Sequence, residues 1–114
     1  MVAFYKFNYI VKHGGINMNQ QEMSVKIFKA LGHPIRYKIV KLLFDGTKCV
    51  NTINEETEYS QANLSQHLKV LKDAGILESE KIGMEIYYRI SNEDIKKVIE
   101  CVDKCVHEYF DRFK

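Results

Sequence analysis

A mainly α-helical fold with one small β-hairpin (α+β) is predicted by three features of this sequence. Apolar residues recur at helical spacing in four separate segments, glycine or proline marks several of the joints between elements, and two β-favouring runs flank Gly83.

Met23, Ile27, Phe28 and Leu31 predict a first helix from about Gln20 to Leu31, stopped by Gly32. Pro34 suits the first turn of a second helix, because its missing N–H would have had no partner there. That helix turns Ile35, Ile39, Leu42 and Leu43 inward and ends at Asp45-Gly46, before a short extended link from Thr47 to Val50. Asn51 to Glu58 reads as a brief third helix with Ile53 as its main buried contact. A fourth helix runs from Ser60 to Gly75. Ile76 to Lys81 and Glu85 to Ile90 then form a hairpin with glycine at its tip. Ser91-Asn-Glu-Asp94 is a helix-start signature, and the last helix continues to about Arg112. Two short helices joined by a few residues and followed by a hairpin make a winged helix-turn-helix, whose second helix enters the DNA major groove.

The fourth helix carries the chemistry. Ser60 is a good N-cap, and Leu64, Leu68 and Leu71 share one apolar face. The opposite face offers Gln61, Asn63, Ser65, Gln66 and Lys69, with no acid until Asp73. Amides can pair bidentately with adenine, and lysine can meet a phosphate or a guanine. An ordinary solvated helix face is the plain alternative for this segment alone. On the hairpin, Lys81 and Arg89 are the expected phosphate contacts, Lys81 the better placed.

At 114 residues the chain is long enough for one core and not two, and 46% hydrophobic residues suffice to fill it. Seventeen basic against fifteen acidic residues give +2, which neither requires nor excludes nucleic acid. Lys26, Lys29, Arg36, Lys38 and Lys41 nevertheless fall in one stretch without an Asp or Glu. Three cysteines without framework spacing argue for a reducing cytosol, so a soluble cytoplasmic protein is expected. No apolar run is long enough to span a bilayer. Residues 1–17 read as an N-terminal arm of unassigned role, fitting an arm, a short strand or a start site misplaced ahead of Met18. Residues 18–114 form the expected DNA-binding and dimerisation domain.

Four pieces in order resemble the ArsR family of small metal- and thiol-responsive repressors. They are Phe28-Lys-Ala-Leu-Gly-His-Pro-Ile-Arg36; Ser60-Gln61 with Leu64-Ser-Gln-His-Leu68 and Leu71; Ala74-Gly-Ile-Leu77; and Gly83 with Tyr87-Tyr-Arg-Ile90. The resemblance implies a homodimer that binds an inverted-repeat operator in double-stranded DNA, represses transcription, and is released by a metal ion or an oxidant. It also implies base-reading positions at Gln61, Ala62, Asn63, Ser65 and Gln66, beside the capping Ser60, and a packing role for His67.

A dimer is expected on physical grounds as well. The last helix carries an apolar stripe of Ile95, Val98, Ile99, Val102, Val106, Tyr109 and Phe113, and a domain this small has little core left to cover it. The sensing site departs from the family's patterns. Cys49 matches the first cysteine of a Cys-x-Cys pair, but Asn51 stands where the second should be. Asp94 and His107 match two positions of a zinc arrangement, while Lys96 and Phe110 occupy the others. Cys101 and Cys105, at i and i+4, share one helical edge. They fit half of a soft-metal site for Zn, Cd or As completed by Cys49 or the partner subunit, a redox pair, or small interface hydrophobes.

Two other functions compete. A winged-helix module that binds protein, not DNA, would place acidic or apolar residues on the exposed face of the 60–75 helix, and a DNA-binding regulator without small-molecule sensing would use no cysteine. An enzyme is not expected, because no Ser-His-Asp, P-loop or HExxH signature is present.

Overall fold

The computed structural model describes residues 19–113, so the expected arm over residues 1–17 lies outside the described residues. Among the described residues the elements are α1 (Gln20–Leu31), α2 (Pro34–Leu42), a 3-10 turn (Leu43–Asp45), β1 (Lys48–Cys49), α3 (Val50–Thr57), α4 (Gln61–Asp73), β2 (Leu77–Ile82), β3 (Glu85–Ile90) and α5 (Glu93–Asp111).

Local chemistry sets the helix ends. Asn19 caps α1 by accepting from the Gln21 N–H at 2.7 Å. Pro34 occupies the first turn of α2, and the His33 Nδ1 caps that helix by accepting from the Ile35 N–H at 3.1 Å. At the far end of α4, Gly75 takes φ 79°, a left-handed conformation that costs a side chain nothing only at glycine. Its N–H reaches the Lys72 carbonyl at 3.0 Å, and the Ile76 N–H reaches the Leu71 carbonyl at 3.0 Å, which satisfies two orphan carbonyls at once. Asn92 caps α5 by accepting from the Asp94 and Ile95 N–H groups.

The core is one cluster centred on Ile39, Val40, Leu43, Ile53, Leu64, Leu68, Leu71 and Ile76. Leu77 closes it from the wing and Ile95 and Ile99 close it from α5. That placement corrects part of the expected interface. Ile95 and Ile99 are spent within their own protomer, where they pack into the core cluster at 1% exposure each.

The extended link expected over 47–50 is a strand. Lys48 and Cys49 pair with Tyr88 and Tyr87, giving the sheet order β1-β3-β2. The hairpin is also tighter than its sequence implies. Ile82 pairs with Glu85, so β2 runs one residue further and the turn holds only Gly83 and Met84. Gly83 makes this feasible at φ 63°, the sign needed at the first central position of a type II′ turn. The base of the wing is fixed to the end of α4. The Ser91 hydroxyl donates to the Gly75 carbonyl at 2.6 Å, and the Ser91 N–H donates to the Ile76 carbonyl at 2.9 Å.

Candidate nucleic-acid interface

The outward face of α4 is built by its inward one. Leu64, Leu68 and Leu71 are fully buried, and at 3.6 residues per turn their burial leaves Gln61, Ala62, Asn63, Ser65, Gln66 and Lys69 exposed. The Ser60 hydroxyl accepts from the Asn63 N–H at 3.3 Å, which fixes the first turn of that face. The side chains of Gln61 and Gln66 make no hydrogen bond to a described residue. Lys69 holds Asp73 at 2.8 Å, an exposed (i, i+4) pair. That hydrogen bond raises the lysine pKa and lowers the aspartate's, so both remain charged. A phosphate could take the lysine without unburying anything.

The wing is divided. Lys81 is exposed and makes no ion pair with a described residue. Arg89, the second expected phosphate contact, is already committed. Its Nε lies 3.2 Å from Glu78, and a terminal nitrogen lies 3.5 Å from Glu80, on the neighbouring strand where the β2–β3 register places them. An arginine in such a partly exposed pair keeps its charge, so a phosphate would have to compete with Glu78 and Glu80 for Arg89, and Lys81 is the better placed of the two. Between α4 and the wing lies a groove of about 460 Å³ lined by Asn51, Gln61, Ala62, Ser65, Met84 and Ile86, among others.

His67 is a packing residue. Its ring stacks on His33 with centroids 4.5 Å apart, and its Nδ1 sits 3.2 Å from the Arg36 guanidinium. Arginine can only donate, so Nδ1 accepts and the ring proton is on Nε2. Burial first, then the charges of His33 and Arg36, push the imidazole below its ordinary value, so it stays neutral. The same guanidinium donates to the Ala30 carbonyl at 2.7 Å and the Lys29 carbonyl at 3.2 Å. Arg36 thereby ties the C-terminal end of α1 to α4. Sequence reasoning placed Arg36 in a basic stretch and at the end of the first family-like piece, and neither shows what it bonds.

A second tie links α5 to α2. Asp103 accepts from the Tyr37 hydroxyl and from the Lys41 ammonium at 2.7 Å. The Lys41 bond, then the Tyr37 bond, hold its carboxyl below the usual range. Tyr37 is pushed up to about 12 by burial first and then by the hydrogen bond to Asp103 and its charge. Apart from the buried Ile95 and Ile99, the stripe on α5 is open to solvent. Val98 is 39% exposed, Val102 44%, Val106 47%, Tyr109 55%, Phe110 62% and Phe113 73%.

The three cysteines do not converge within the chain. Cys101 and Cys105 are exposed on α5, whereas Cys49 is half-buried with its sulfur 3.2 Å from the Thr52 hydroxyl. Among the described residues no group of three or more His, Cys, Asp or Glu side chains could hold a metal ion. The partial zinc pattern is dispersed as well: His107 lies 3.2 Å from Asp111, Asp94 lies 3.9 Å from Lys97, and Lys96 lies 3.6 Å from Glu93. No described helix is long and apolar enough to cross a membrane.

Comparison with known proteins places this geometry. The profile of the family described as "Bacterial regulatory protein, arsR family" matches residues 33–79, which span α2 through the start of β2. An uncharacterized HTH-type transcriptional regulator of Methanocaldococcus jannaschii is 40% identical over 88 residues, 76% of this chain and 99% of that protein. A cadmium resistance transcriptional regulatory protein (CadC homolog) of Staphylococcus aureus is 39% identical over 83 residues, 71% of this chain and 69% of that protein. Among solved structures, a homodimeric winged helix-turn-helix DNA-binding domain from Mycobacterium bovis superposes with a TM-score of 0.73 at 30% identity, covering 77% of this chain and 82% of that one. The chain belongs to the arsR family of regulatory proteins: it is a winged helix-turn-helix, DNA-binding transcriptional regulator and not an enzyme.

Proposed function

We propose that this protein is a homodimeric repressor that occupies an inverted-repeat operator and leaves it when thiols on α5 meet a soft metal ion or an oxidant. One observation carries the DNA reading: an exposed amide- and hydroxyl-rich face on α4 backed by three fully buried leucines. Ser60, Gln61, Ala62, Asn63, Ser65 and Gln66 form the base-reading end, and Lys69 and Lys81 are the phosphate contacts.

The exposed stripe on α5 supports the pairing. Val98, Val102, Val106, Tyr109 and Phe113 form a continuous apolar edge, and Phe110 beside it extends the aromatic end. Aromatic residues are favoured where interface cores form. A two-fold pair through α5 would set two α4 helices about one turn of DNA apart, roughly 34 Å, as successive major grooves require. A repressor of this kind works where the chromosome is, in the cytoplasm.

For sensing, the arrangement favours thiol chemistry over a metal centre preformed in one chain. Cys101 and Cys105 sit on the same helix as the exposed stripe, so two copies would bring four thiols to the same helix pair. Cys49 lies on β1, next to Tyr87 in the sheet, and is the third candidate. A soft ion such as Zn, Cd or arsenite needs several thiolates at once, and one chain does not gather them.

The test is binding to DNA upstream of its own operon over a salt series, with the oligomeric state measured alongside. A dimer with tight binding and a steep loss of affinity with salt supports the reading. A monomer, or no specific complex at low salt, removes it.

A further inference from the structure

The tip of the wing exposes three apolar side chains beside the charged Lys81 and Glu85. Exposure along β2 rises from buried Leu77 at the base to Ile82 at the tip. Met84 is 94% exposed, with Ile82 at 56% and Ile86 at 42% on either side of it. The wing's charged side chains are mostly engaged with one another or with a hydroxyl, and they keep their charge. Arg89 is paired with Glu78 and Glu80, and the Glu85 carboxylate accepts from the Tyr87 hydroxyl at 3.2 Å. Lys81 is the wing cation that makes no ion pair with a described residue. The tip is nevertheless continuous with the reading face, because Met84 and Ile86 line the same groove as Gln61, Ala62 and Ser65.

We infer that Met84 is an apolar wedge on the DNA, set against the minor groove that flanks the base pairs read by α4, and that it selects for an easily deformed base step there. The inference rests on the DNA-binding reading above. An uncharged side chain gains nothing from a phosphate, so a role for Met84 on DNA must come from sugar edges and base faces. Apolar side chains on minor-groove binders act in this way, prying a step open. Methionine suits the task, because it is unbranched and its thioether is polarisable. Pyrimidine–purine steps unstack most easily, so the specificity would fall on a TA or CA step that no side chain hydrogen-bonds. The rigid two-residue turn at Gly83 and the Ser91 anchor at the wing's base hold the tip in register with α4.

The experiment uses the full chain and a duplex that the protein itself selects from a randomised library. Met84→Ala should fold like the parent, since the residue packs on nothing at that exposure. It should bind the selected duplex roughly tenfold more weakly, and a duplex with a scrambled site unchanged. Its salt slope should equal the parent's, whereas Met84→Lys should steepen the slope by about one unit per contacting subunit. Replacing the flexible flanking step by GG should weaken the parent and leave Met84→Ala indifferent. If Met84→Ala binds the selected duplex as tightly as the parent, the tip does not touch DNA and serves a protein partner or nothing, and the inference is overturned. Failure of the parent to select any duplex would instead remove the DNA-binding reading, and this inference with it.

Discussion

Replacing Gln61 and Gln66 by alanine tests the base-reading surface most directly. Both side chains are exposed and neither makes a hydrogen bond to a described residue, so truncation removes nothing from the free protein. Alanine is also a slightly better helix former than glutamine, so the melting temperature should hold or rise. A bidentate amide–adenine pair contributes about 1–3 kcal/mol. Each substitution occurs twice in a dimer, so a single change should cost about 2–6 kcal/mol on the selected operator, upward of roughly 25-fold in Kd. Binding to scrambled DNA should be unchanged, and so should the salt slope, because no phosphate contact is lost. Lys81→Ala provides the opposite signature: weaker binding to every duplex and a salt slope shallower by about 0.9 per copy. Fluorescence anisotropy on both duplexes between low and moderate salt reads all of these quantities. An equal loss on selected and scrambled DNA, or a loss that tracks a fall in melting temperature, refutes base reading by this face.

Three further outcomes are expected. Arg36→Met takes the side-chain donor from the Ala30 carbonyl and the His67 Nδ1, leaves the Lys29 carbonyl only the Gly32 N–H, and should lower stability by about 2 kcal/mol, or roughly 10 °C in melting temperature. Thermal denaturation checks this, and an unchanged midpoint would mean that α1 is not held through Arg36. Tyr37 has a folded pKa of about 12 against an ordinary 10.0, so its contribution is complete below pH 10 and disappears as pH rises towards 12. Denaturant midpoints across that window should fall for the parent and flatten for Tyr37→Phe. Lastly, a Cys101→Ser/Cys105→Ser double variant should stay on its operator when cadmium, arsenite or a sulfur oxidant releases the parent. Normal release of the double variant would leave both cysteines as interface hydrophobes.

What could be read in the sequence was whatever repeats over a helical turn or a strand pair. Leu64, Leu68 and Leu71 announce the buried face of α4 because a helix brings i, i+4 and i+7 together whatever surrounds it. Ser60, Pro34 and Gly75 announce helix ends for the same local reason. The features that escaped are ties between distant positions. Arg36 meets His67 across 31 residues, and Tyr37 meets Asp103 across 66. No periodicity encodes such a pair, since each partner taken alone is an ordinary polar residue on a helix. β1 escaped for a related reason: two residues are too few to show alternation, and Lys48 and Cys49 become a strand only because Tyr88 and Tyr87 present them with an edge.

The last helix shows where a stripe stops being informative. Its apolar positions are uniform in sequence, yet they divide sharply in space. Ile95 and Ile99 are sealed into the core, whereas the positions from Val102 to Phe113 are open. Asp103 sits at that boundary, held by Tyr37 and Lys41 of α2. The helix therefore has two jobs joined at one carboxylate: its first half completes the body that positions α4, and its second half projects the surface on which a partner would pack. Cys101 and Cys105 flank Asp103 on either side. Asp103 lies on the opposite side of the helix from both thiols, so a reaction there that displaced the helix as a whole would strain its tie to α2. The strain would reach α2, against which α4 packs, before it reached any base-reading side chain. An inducer acting there would have no need to touch the DNA face at all.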